Sequence, residues 1–150
     1  LAAFCETFDF EGIPFTANQD GPEGRSPIYH TNVMMSVGSA FAAVCWDCID
    51  DVEEREMVRE ALTADGKQCV GLTEDQINHF AGNMLEVRAA DGSPLIVMSS
   101  QAFHALTEAQ RNTLAGFGRI VHAPLDTIET CGGGSARCML AENFLPQTTA

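Results

Sequence analysis

The sequence predicts an α/β fold assembled from repeated strand–strand–helix–strand units, arranged around an axis as part of a propeller. Three observations predict it. Residues 28–72 and 83–122 carry the same order of apolar runs around one amphipathic helix. Asn32-Val33-Met34-Met35 aligns with Asn83-Met84-Leu85-Glu86 at an offset of 51. A glycine-rich stretch near the C-terminus then opens onto the start of a third unit, over 126–150. Repeats of this length mark solenoids and propellers, because a single unit cannot bury its own apolar face. Two units and a stub do not close a ring. The chain therefore reads as the C-terminal half of a larger propeller, completed by a missing N-terminal half or by a second copy of itself.

Taken in order, residues 1–27 interleave Phe4, Phe8, Phe10 and Phe15 with Gly12, Pro14, Gly21, Pro22, Gly24 and Pro27. That punctuation predicts turns and loop with one short strand at most. The phenylalanines at 4, 8 and 10 read as core or loop anchors. Val33–Val37 and Phe41–Cys45, split by Gly38-Ser39, predict a hairpin. Asp47, Asp50 and Asp51 put negative charge where a helix begins, and Val52–Ala64 has Met57, Val58, Ala61 and Leu62 on one side before Gly66 ends it. Gln68–Leu72 closes the first unit as a strand. In the second, Asn83–Val87 and Pro94–Met98 flank the turn pair Asp91-Gly92. Thr107 and Gln110 have capping-box spacing, the helix runs to about Gly116, and Arg119–His122 is the closing strand. Arg137–Leu140 would be the first strand of the third unit.

Charge and composition exclude several functions. The formal charge is −13, with eight basic residues against 21 acidic ones. No cluster of Lys and Arg is available for nucleic-acid phosphates or an anionic membrane surface. No apolar run is long enough to span a bilayer, and the N-terminus lacks a basic-then-apolar signal pattern. The six scattered cysteines then predict reduced thiols and a cytoplasmic protein. The chain begins at Leu1, which suggests a cleaved chain, a trimmed one or a piece of something longer.

The candidate chemistry centres on Thr130-Cys131-Gly132-Gly133-Gly134-Ser135-Ala136-Arg137-Cys138. Three glycines let the backbone turn sharply and approach another group, and they deliver Cys138. A nucleophilic cysteine needs a histidine partner. The stretch alone favours a glycine hairpin beside a buried thiol over a nucleophile. The repeat tips the balance. His30 precedes the first strand of unit one and Cys138 opens the same strand of unit three, and equivalent strand ends of a ring face a common axis. His30 is favoured over His122, while His79 and His104 read as surface or core residues. Cys45-Trp46-Asp47-Cys48 has CxxC spacing but lacks a second pair to make a zinc site, and reads as two thiols at a strand end.

Tyr29-His30-Thr31-Asn32-Val33-Met34-Met35, Phe80-Ala81-Gly82-Asn83-Met84-Leu85-Glu86 and Pro124 through Glu142 together resemble the guanidine-modifying (amidinotransferase/deiminase, pentein) superfamily, nearest to its citrulline-utilisation hydrolase branch. The resemblance runs from about Pro27 to Pro146. It implies a five-unit α/β propeller with the active site on its axis. It also implies attack by Cys138 on the central carbon of a guanidino or ureido amino acid, with His30 as acid and base. Asn32 stands where deiminases carry a guanidinium-gripping Asp, and a neutral amide suits a ureido group. Asn32, Gly133, Gly134 and Arg137 form the expected substrate-binding set. The superfamily's remaining binding carboxylates lie in the N-terminal half. No metal or organic cofactor is required. Amidino transfer to an amine is the alternative chemistry, and a non-catalytic binding half-propeller is the rival from another class.

Overall fold

The computed structural model describes residues 1–141. Its first segment departs from the loop expected there. Ala2–Phe8 form helix α1, and Asn18–Gly21 (β1) and Gly24–Pro27 (β2) pair as an antiparallel hairpin. The loop signal at Gly21–Gly24 marks only the turn of that hairpin, where Gly24 takes φ 105°. Phe4, Phe8 and Phe10 are not core anchors. They are more than half exposed and pack on one another, with ring centroids 4.8 Å apart for Phe4–Phe8 and 5.8 Å for Phe4–Phe10.

The first repeat unit follows the predicted order. Met35–Val37 (β3) and Phe41–Val44 (β4) pair antiparallel, helix α2 spans Val52–Ala64, and Gln68–Gly71 (β5) returns parallel to β4. All four β4 residues are buried, as a central strand covered on both faces requires. Asp51 starts α2 by accepting hydrogen bonds from the N–H groups of Glu53 and Glu54. Acidic side chains in that first turn meet the positive end of the helix dipole.

A short helix, α3 (Glu74–Asn78), links to the second unit. There Leu85–Arg88 (β6) and Pro94–Ser99 (β7) pair antiparallel, and the short α4 (Ser100–Ala105) precedes α5 (Glu108–Ala115). Arg119–Ala123 (β8) then returns parallel to β7. The two three-stranded sheets thus have the same order and the same mix of directions.

Burial and polar contacts both join the units. Met34, Phe41, Met84, Ile96 and Met98 lie in one buried cluster, and each such side chain taken from water contributes about 1.5–3 kcal/mol. The buried Ser36 hydroxyl donates to the Met84 carbonyl at 2.8 Å. Gln76 and Gln110, the third helical residues of the α3 and α5 capping boxes, bond each other reciprocally at 2.7 and 3.0 Å. Gln76 also donates to Ala105 O and Gln110 to Gly71 O, so one amide pair caps two helices and ties the units together.

The third unit is corrected. Asp126–Gly132 form α6, a helix the sequence reading omitted although Asp126 and Glu129 supply an acidic first turn. Gly133, in the left-handed region at φ 65°, stops it. Arg137–Leu140 do not form a strand; Ala136–Met139 make a 3-10 turn, with Cys138 N–H bonded to Ser135 O at 3.0 Å. The counterpart in unit one is the 3-10 turn Thr31–Val33, which delays β3 to Met35. What recurs at Cys138 is the 3-10 turn. The rest of the unit expected over 126–150 lies largely outside the described residues, and among those residues no ring closes.

Candidate active site

Three turns meet around one cleft of about 200 Å³. Tyr29 and Asn32 come from the turn before β3, Phe80 and Asn83 from the turn before β6, and Gly133, Gly134 and Cys138 from the turn after α6. Gln19 of β1 adds one edge. Among the described residues, none that lines the cleft carries a formal charge.

Local backbone features bring these turns together. Phe80 sits at φ 63°, a left-handed conformation that bulky residues rarely adopt, and it reverses the chain between α3 and β6. Gly82 lies so close to unit one that a Cβ there would stand 2.2 Å from the Val33 carbonyl oxygen. Only a glycine allows the two turns to nest, and the nesting brings Asn83 beside Asn32. A Cβ at Gly134 would press on Cys138, 3.1 Å from its Cβ and 3.2 Å from its sulfur. The glycine run therefore clears space for the thiol as well as turning the chain.

Cys138 is exposed, unlike Cys45 and Cys48, which are fully buried. Its sulfur faces two side-chain amides: Asn83 Nδ2 at 3.2 Å and Asn32 Nδ2 at 3.9 Å. Behind the loop, the buried Ser135 hydroxyl donates to Glu129 Oε1 at 2.6 Å, bracing the turn against α6. The second Glu129 oxygen is buried and without a hydrogen-bond partner among the described residues.

The hairpin that supplies Gln19 is held by Arg25. Its guanidinium bonds Asp50 at 2.7 Å, Glu74 at 2.8 Å and the Asp47 carbonyl at 2.9 Å. Hydrogen bonds from Asn18 and Arg25 hold the Asp50 carboxyl below the usual carboxylate range.

The other expected site residues divide. His30 caps the Thr31–Val33 turn, its Nδ1 accepting the Asn32 N–H at 3.2 Å. The ring is exposed and stands between Tyr29 and Asn32 in sequence, but does not itself line the cleft. The Arg137 backbone N–H reaches the site, donating to Asn83 Oδ1 at 3.0 Å. Arg137 also lines a separate cleft of about 370 Å³ beside Glu86 and Arg88. His122 stacks on Phe103 with centroids 4.1 Å apart, and His79 and His104 line a more open hollow of about 640 Å³.

Cys45 and Cys48 follow β4 directly, around the 3-10 turn Trp46–Cys48. A hydrogen bond to Cys45, together with burial, pushes the Cys48 thiol far up, which makes it inert. Among the described residues, no three His, Cys, Asp or Glu side chains converge in a way that would hold a metal ion. No helix among them is long and apolar enough to cross a membrane.

The chain is a member of the guanidine-modifying (pentein) superfamily. Within it, the chain belongs to the family described as N,N dimethylarginine dimethylhydrolase, eukaryotic, which it matches over residues 1–145. A crystal structure of apo ArgZ, an arginine dihydrolase from the ornithine-ammonia cycle in cyanobacteria, shares the fold with a TM-score of 0.53 at 18% identity. The match covers 73% of this chain and 16% of that one, so the chain spans under a fifth of that protein's length. No curated protein matches the chain.

Proposed function

We propose that this chain supplies the nucleophile and the acid/base of a hydrolase that cleaves a C–N bond in a guanidino or ureido amino acid. The observation that carries the proposal is the exposed Cys138 sulfur facing Asn32 and Asn83 across one cleft, in a chain of the dimethylarginine dimethylhydrolase family. In the reaction, the Cys138 sulfur bonds to the central carbon. The C–N bond to the leaving amine breaks as His30 gives that nitrogen a proton. His30 then takes a proton from water, the water oxygen attacks the same carbon, and the C–S bond breaks to restore the thiolate.

The uncharged lining bears on substrate class. Asn32 offers an amide where a cation would want a carboxylate, so a ureido group such as that of citrulline fits these residues directly. A guanidinium would draw its counter-charge from the part of the propeller outside this chain. We place this chain as the C-terminal half of that propeller, with units at about 28–72, 83–122 and 126–150, and with the first half or a second copy completing the site. The Gly133 and Gly134 backbone shapes the wall that presents Cys138. Arg137 contributes through its N–H.

Iodoacetamide labelling at neutral pH tests the reading. Cys138 is expected to react at least about 10-fold faster than Cys131, the other exposed thiol. Equal rates would favour a half-propeller that binds without catalysis.

A further inference from the structure

Resting on that reading, we infer that Asn83 is a catalytic residue whose side-chain amide donates to the Cys138 sulfur and holds it in its attacking form. The geometry fixes which way the amide points. Asn83 Oδ1 accepts from the Arg137 backbone N–H at 3.0 Å, and a backbone N–H can only donate. The NH2 group must therefore face the other way. There it meets two acceptors, the Asn32 carbonyl at 3.4 Å and the Cys138 sulfur at 3.2 Å. A flipped amide would lose all three contacts.

The site is also built to keep the amide in place. Asn83 is 5% exposed, and its N–H is tied to the Phe80 carbonyl at 2.8 Å, within the turn that Phe80 and Gly82 shape. A nearly buried amide that spends one of its donors on a sulfur is costly unless the sulfur is a good acceptor. A thiolate is a far better acceptor than a thiol. One side chain thus fixes the Cys138 turn through Arg137, the Asn32 turn through its carbonyl, and the reacting atom itself. Asn32, with its Nδ2 at 3.9 Å from the sulfur, is the more distant and less buried donor, free to turn to substrate.

The discriminating variant is Asn83→Asp. It keeps the shape and the oxygen that accepts from Arg137, and exchanges the donor for a second carboxylate oxygen against the sulfur. In the intact protein, the ratio of Cys138 to Cys131 alkylation by iodoacetamide at pH 7 is expected to fall at least 10-fold in Asn83→Asp. A smaller fall is expected in Asn83→Ala, with kcat reduced more than KM is raised in both. A purely structural role predicts the opposite order, with the isosteric Asp keeping the ratio and Ala losing it. An unchanged ratio in Asn83→Asp alongside a fast wild-type Cys138 overturns the inference and leaves the proposed function standing. A slow wild-type Cys138 overturns both. Should Asn83→Ala fail to fold, the Asp variant alone decides.

Discussion

Cys138→Ser is expected to lose turnover by at least about 1,000-fold, the scale on which removing a catalytic nucleophile acts. The reason is chemical. A hydroxyl in this cleft has no base within hydrogen-bond reach among its described partners, which are the amide donors Asn32 and Asn83. Donors stabilise a sulfur anion but cannot take a proton from a serine. Substrate binding should survive, because the substitution changes one atom at an exposed position and leaves the glycine-run clearance intact. Steady-state kinetics beside a direct binding titration separate the two effects. Full turnover in the serine variant would end the catalytic account of Cys138.

Gly82→Ala is expected to be the most damaging substitution outside the cleft lining. The added Cβ would lie 2.2 Å from the Val33 carbonyl oxygen and 2.8 Å from its carbon, and backbone cannot swing aside as a side-chain tip can. Overpacking of this kind costs about 1–3 kcal/mol, here at the upper end, which lowers Tm by about 5–10 °C in a domain of this size. The same methyl pushes the turn carrying Asn32 away from the one carrying Asn83. Cys138 alkylation should therefore slow together with the loss in Tm. A variant with wild-type Tm and wild-type labelling would show that the two turns are not locked against each other.

Much of this arrangement was legible in the sequence, for identifiable reasons. Helix α2 announced itself through Asp51, its charged first turn and Gly66, and α5 through the Thr107–Gln110 capping box. Those signals lie within a few residues of the backbone they control. The repeat paired His30 with Cys138 at matching strand starts, and it is the neighbouring Asn32, two residues on, that shares the cleft with Cys138.

What escaped was set by tertiary contacts or by weak local signals. The β1–β2 hairpin is polar and mostly exposed, and Arg25 holds it in place by reaching Asp50 and Glu74, far along the chain. Helix α1 buries none of its residues, so no apolar periodicity toward a core marks it. Arg137–Leu140 alternates too briefly to separate a strand from a 3-10 turn. Asn83 was visible as the repeat partner of Asn32, but only its contacts on both sides give it a role. Arg137 reaches the Cys138 site through its backbone N–H and lines a different cleft, which its place next to the cysteine in sequence does not reveal.

The central claim is that Cys138 becomes covalently bonded to the carbon of its substrate. Acid quenching during turnover of a guanidino or ureido amino acid, followed by peptide mass spectrometry, tests it most directly. The account predicts that the peptide containing Cys138 gains the mass of the substrate less the amine it released, and that the peptides carrying Cys45, Cys48 and Cys131 are unchanged. Turnover with an unmodified Cys138 peptide, or with the added mass on another residue, would contradict it.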